Sequence, residues 1–190
     1  AHVIILVFSK DLGSAVIFFA GYLIMVFIAT KNYFYLFAGI LGGAGASIVA
    51  YHMFSHVRTR VIAFLHPWSN INDSGYQITQ SLFAIGTGGW FGLGIDQGDP
   101  TSIPYVEQDF VFSAVAEEMG VIFGICLILV CVSCFIVFMK IAMQLKEDFY
   151  RYIAVGISTI YIFQVFLTIG GGTRFIPLTG VTLPLVSYGG

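Results

Sequence analysis

Three carboxylates stand where a carboxylate is costly to keep. Asp109 ends a polar, glycine-rich segment, and the pair Glu117-Glu118 lies inside the long apolar run that follows. An acid at or inside a lipid–water boundary is rarely retained without a task. If Asp109 opens a helix, spacings of three and four place Asp109, Ser113, Ala116, Glu117, Gly120 and Gly124 on one small, polar face. Phe110, Phe112, Val115 and Ile122 then point elsewhere. Such a face is expected to line a cavity entered from outside. Asp109 would serve equally as a helix N-cap, and spacing alone leaves both readings open. Glu117 and Glu118 cannot both be caps, so one is expected to pair with a basic residue of a neighbouring helix.

The cations are few. Arg58 and Arg60 follow an apolar run and suit either lipid headgroups or a phosphate-bearing ligand, for which the guanidinium fork is well shaped. Asp11, in Lys10-Asp11-Leu12-Gly13, could cap the next helix. His52, His56 and His66 have no spacing with cysteine or carboxylate that makes a metal set. Cys126, Cys131 and Cys134 share one apolar run and read as small buried residues rather than as a disulfide or metal pair. Trp68 and Trp90 suit a membrane interface.

The elements that must hold these groups are membrane helices. Of the 190 residues, 58% are hydrophobic and only 9% charged, far from the roughly 25% charge of soluble domains. A net charge of −2 gives no ground for nucleic-acid binding. The expected fold is all-α, a polytopic helical bundle in one membrane domain. A span needs about 20 mostly apolar residues, and four runs qualify: 14–30, 33–51, 110–139 and 152–170. The second holds Gly39, Gly42, Gly43 and Gly45, small residues that let helix backbones approach. Between the second and third spans, residues 52–109 form a large loop with short helices of its own. Residues 74–85 are read there as an amphipathic helix presenting Tyr76, Ile78, Leu82, Phe83 and Ile85. The stretch from Gly86 to Gly94 lacks a dinucleotide fingerprint and reads as a re-entrant or surface-lying loop. Basic residues tie across the two sides, Lys31, Lys140, Lys146 and Arg151 against Lys10, Arg58, Arg60 and Arg174. Short loops carry more weight, which puts Lys31 and the 140–151 loop in the cytoplasm and the long loop outside.

Several motifs together carry a resemblance. Gly75-Tyr76-Gln77, Gln80-Ser81, Asp109-Phe110-Val111-Phe112, Glu117-Glu118-Met119-Gly120 and the closing stretch from Pro177 to Gly190 resemble the shape, elongation, division and sporulation (FtsW/RodA/SpoVE) family. Lys10-Asp11-Leu12-Gly13-Ser14 is similar to its Pro-Asp-Leu-Gly-Thr signature. The resemblance covers essentially the whole chain and implies the C-terminal half or so of a larger protein of the bacterial cytoplasmic membrane. It implies peptidoglycan glycosyltransferase activity, polymerising lipid II into glycan strands. The partner it implies is a class B penicillin-binding transpeptidase, among membrane lipid. Asp109 matches the family's essential aspartate and is the expected catalytic base. Arg58, Arg60, Lys10 and Arg174 are candidates to meet the pyrophosphate, alone or with a divalent cation, Mg or Mn. Gln77, Gln80, Ser81, Glu117, Ser187 and Tyr188, from the matched motifs, are further candidate substrate contacts. No protein metal site is assigned. The chain departs from the family at Lys10, at Glu107-Gln108 where His-Thr is usual, and near Thr101, where a second family acid is missing. A lipid II flippase or transporter, and a non-catalytic scaffold for the transpeptidase, are the rival readings.

Overall fold

The structure, a computed structural model, describes residues 11–71 and 73–188. Among them every regular element is helical: α1 (Leu12–Thr30), α2 (Tyr33–Met53), α3 (Ser55–Leu65), α4 (Tyr76–Gly88), α5 (Val111–Gln144) and α6 (Asp148–Gly172). Short 3₁₀ turns at Trp68–Asn70 and Pro100–Ser102 interrupt the connections flanking α4. Helices α1, α2, α5 and α6 are each long and apolar enough to cross a membrane. Lys10, a candidate phosphate contact, lies outside the described residues, as do Gly189 and Gly190.

Local chemistry sets the helix ends. The Asp11 carboxylate accepts the Ser14 N–H at 3.0 Å, and the Asn32 side chain accepts Phe34 N–H at 2.9 Å. Both satisfy donors that a helix start leaves free. Lys31, between them, turns the chain with a left-handed φ of 52°.

Packing divides the chain into two compact units. One comprises Ala1–Arg58 and Val132–Phe163. In it, a Cβ added to Gly21 would meet Ile160 at 3.2 Å, and one on Gly156 would meet Met25 Sδ at 2.7 Å, so α1 and α6 touch through glycine. The small residues of α2 are used only in part. Gly39 and Gly43 receive Leu23 and Phe19 of α1, Gly42 and Gly45 face open space, and no α2 residue is buried.

The other unit comprises Thr59–Cys131 and Gln164–Gly190. Its core gathers Ala84, Ile103 and Phe110, with Val106 and Leu178 packed against them. Helix α4 buries Ile78, Thr79, Ser81 and Ala84, whereas Phe83 stays exposed. The amphipathic face read from the sequence is therefore rotated. Two hydroxyls turn inward because backbone oxygens await them: Thr79 Oγ1 donates to Gly75 O and Tyr76 O, and Ser81 Oγ to Gly172 O at 2.7 Å. Phe83 instead lies tilted against the Trp68 ring.

Helix α5 is not continuous. Gly120, at φ 86° and ψ 167°, breaks it. The loop after α4 fills the gap: Leu93 N–H donates to Glu117 O and Gly94 N–H to Glu118 O, while Val121 N–H donates to Gly89 O. All three are 2.9 Å. A Cβ on Gly120 would lie 2.4 Å from Trp90 O, so only glycine admits this approach.

Candidate functional site

Asp109 sits in a turn just ahead of α5 rather than in its first turn. Tyr105, left-handed at φ 61°, bends the chain so that Gln108 and Asp109 N–H groups both donate to Tyr105 O. The neighbouring Phe110 is buried and anchors the turn in the core. Asp109 lines a cavity of about 330 Å³.

Arg60, Ser74, Gln77, Tyr105 and Gly180 line the same cavity, over an apolar floor that includes Ile78 and Leu178. Arg60 is fixed by the C-terminal segment: its Nη1 donates to Leu178 O at 3.2 Å and to Thr179 O at 2.7 Å. At Gly180 the chain turns with φ 74°. A Cβ there would lie 3.5 Å from Arg60 Nη2 and 3.7 Å from Asp109 Oδ2, so acid and guanidinium converge on this glycine. Among the described residues they form no ion pair. Burial raises the Asp109 carboxyl above its ordinary value, and the Arg60 charge pulls partly the other way. The result is a half-buried acid of heightened basicity beside open space and a fixed cation.

The C-terminal segment also holds the Asp109 turn directly. Ser187 Oγ donates to Gln108 O at 2.6 Å and accepts Leu183 N–H at 2.9 Å. Tyr188 N–H donates to Glu107 O at 2.9 Å. The segment is tied in turn to α6, where Thr168 Oγ1 donates to Val181 O and Gln164 Nε2 to Thr182 O.

The candidates divide accordingly. Arg60 and Gln77 line the cavity with Asp109, and Gln80 does not. Ser81 is buried between Ser113 Oγ at 2.6 Å and Gly172 O, which makes it a junction of α4, α5 and α6 rather than a substrate contact. Arg174 spends its guanidinium on the carbonyls of Phe64 and Leu65 at the end of α3. Arg58 donates to His52 O and lies over the Tyr51 ring. The Ser187 hydroxyl is taken up by Gln108 O and Leu183 N–H, and the Tyr188 side chain is exposed.

Nor does the polar stripe of α5 line the cavity. Ser113 and Glu117 point into the packed interior, and the break at Gly120 ends the stripe before Gly124. Glu117 has no basic partner among the described residues. Its Oε1 accepts Asp99 N–H at 3.3 Å, and its buried Oε2 has no hydrogen bond. Glu118 accepts Asp96 N–H, so the acidic pair organises the 96–99 loop.

The described residues bring no group of three metal-ligating side chains together. One carboxylate facing a guanidinium does not make a protein cage for a divalent cation. Sequence reasoning missed Ser74, Tyr105 and Gly180; the Gly180 signal was a lone glycine before Val181-Thr182, where a left-handed turn was needed.

Comparison with known proteins follows the same lines. A sequence profile of the FtsW/RodA/SpoVE family, described as "Cell cycle protein", matches residues 1–190. Peptidoglycan glycosyltransferase RodA of Mycobacterium tuberculosis (strain ATCC 25618 / H37Rv) is 38% identical over 98% of this chain and 40% of its own length. Probable peptidoglycan glycosyltransferase FtsW of Aliivibrio salmonicida is 36% identical over 97% of the chain and 48% of its own. Stage V sporulation protein E of Bacillus subtilis is 33% identical over 98% and 52%. A solved chain described under "Structural coordination of polymerization and crosslinking by a peptidoglycan synthase complex" superposes with a TM-score of 0.77 at 26% identity, over 96% of this chain and 51% of that one. The chain thus spans about half the length of the relatives it matches.

Proposed function

The chain belongs to the FtsW/RodA/SpoVE family, multi-pass proteins of the bacterial cytoplasmic membrane, and from that premise we propose that it forms the catalytic half of a peptidoglycan glycosyltransferase. The substrate is lipid II, a disaccharide-peptide on polyprenyl pyrophosphate, and the cavity faces outward.

The observation that carries the reading is a half-buried Asp109 beside a fixed Arg60, both lining one open cavity. Glycosyl transfer needs both. An acceptor sugar hydroxyl attacks the anomeric carbon, and the bond from that carbon to the pyrophosphate oxygen breaks. Asp109 takes the hydroxyl proton, its basicity raised by burial. The leaving pyrophosphate carries away the electron pair, and the Arg60 guanidinium meets its charge without having to reorganise. Gln77 and Ser74 supply polar contacts for sugar hydroxyls at the cavity wall. A class B penicillin-binding transpeptidase is the proposed partner, since the solved relative belongs to a complex described as coordinating polymerization and crosslinking.

The test is to give the full-length protein and its partner lipid II in vesicles and to follow two products. Glycan strands resolved on a gel are expected. Labelled lipid II crossing the bilayer without strand growth would assign the cavity to transport instead.

A further inference from the structure

Helix α5 carries its own depth gauge. Between Glu118 and Lys140 it holds no charged residue, and this stretch from Met119 to Met139 is about 31 Å long at the α-helical rise. A hydrocarbon core is about 30 Å thick. The two charges therefore mark the two faces of the core, and the break at Gly120 lies at one of them.

The loop pinned to that break sits at the same level. Hydrogen bonds from Leu93 and Gly94 to Glu117 and Glu118, and from Val121 and Ile122 to Gly89 and Trp90, hold residues 89–94 alongside 117–122. Gly92 N–H is also taken, by Gly88 O at 2.8 Å. Irregular backbone near hydrocarbon needs its polar groups satisfied by protein, and here the Gly92, Leu93 and Gly94 N–H groups and the Gly89 and Trp90 carbonyls are. The side chains tell the same story. Trp90, Phe91 and Ile95 are 69%, 85% and 69% exposed, and no charge occurs from Gly75 to Ile95.

We propose that residues 89–95 form an interfacial anchor, with Trp90 and Phe91 inserted among the lipids of the leaflet that Glu118 faces. The bound surface is lipid, at the depth where indole rings are favoured. The anchor goes beyond the glycosyltransferase reading and rests only on α5 crossing the membrane. It also puts the Val111–Met119 piece of α5 and the Asp109 turn ahead of it on the outer side of that boundary, across the break at Gly120. The carboxylate is thereby placed outside the hydrocarbon.

The experiment uses the full-length chain in phosphatidylcholine vesicles whose acyl chains carry bromine near the headgroup or near the methyl end. Wild type and Trp90→Phe are compared. The emission lost on replacing Trp90 is expected to be quenched at least two-fold more by shallow bromine than by aqueous iodide. A Phe91→Cys variant carrying a spin label, in a background with the native cysteines replaced by Ala, gives an independent reading, with faster relaxation by oxygen than by a water-soluble paramagnet. The proposal is overturned if Trp90 is quenched by iodide alone, or is shielded from both quenchers, as a covering protein would shield it. A Phe91 label relaxed mainly by the aqueous reagent overturns it as well.

Discussion

Ser187→Ala removes one oxygen and orphans two backbone groups. The hydroxyl donates to Gln108 O and accepts from Leu183 N–H, and the residue is only 8% exposed. Leaving a buried donor or acceptor unpaired costs about 1–3 kcal/mol each. Water can reach part of this turn, so about 2–4 kcal/mol of stability is the expected loss. The functional loss follows from geometry, because Gln108 precedes Asp109 and the remaining tie is Tyr188 N–H to Glu107 O. A displacement of about 1 Å at a reacting group can cost on the order of 100-fold in rate. The variant should therefore lose roughly 10- to 100-fold in kcat for strand formation, with KM little changed, since Ser187 does not line the cavity. Ser187→Thr keeps the hydroxyl and should recover part of the rate. The assay is strand synthesis from lipid II by the full-length protein and its partner, alongside a thermal melt in detergent. A lowered melting temperature with unchanged kcat would refute the positioning role. A raised KM with unchanged kcat would make Ser187 a substrate contact instead.

Other variants probe separate parts of the account. Arg60→Gln removes the charge that holds the Asp109 carboxyl down against burial. The acid limb of the pH–rate profile should move to higher pH, and a limb that stays in place would contradict the coupling. Gly120→Ala forces a side chain into a backbone region open essentially to glycine alone and onto Trp90 O. Strain of about 1–3 kcal/mol, before the clash, should appear as a lower melting temperature or loss of the monodisperse peak. Arg174→Ala frees the Phe64 and Leu65 carbonyls. It should cost about 1–2 kcal/mol of stability and leave KM for lipid II unchanged, whereas a large rise in KM would restore it as a phosphate contact.

The helices and the acid were legible in the sequence for a simple reason. Apolar runs of spanning length and a carboxylate at their edge are local signals, and each needs only its own neighbourhood to be read. The roles of Ser81, Arg174 and Ser187 were not local. Each looked like a ligand contact, yet each meets a backbone carbonyl far away in the chain, Gly172, Phe64 or Gln108. Apolar surroundings make an unpaired buried hydroxyl or guanidinium costly, which favours such pairing. The break in α5 was hidden because hydropathy averages over Gly120 and cannot register a left-handed φ. The clue was composition: a glycine-rich loop and an isolated glycine next to an acidic pair, matching surfaces that only a close backbone approach explains.

Asp109→Asn tests the central claim most directly. Burial makes ionisation of Asp109 unfavourable in the folded state, so stability is lost as pH rises through its raised value. The neutral, nearly isosteric amide should fold at least as well at neutral pH, and its melting temperature should not fall. Strand synthesis from lipid II by that well-folded variant should drop by about 100- to 10,000-fold, the usual contribution of a positioned base. Normal strand synthesis by the same folded variant would show that the proton goes elsewhere.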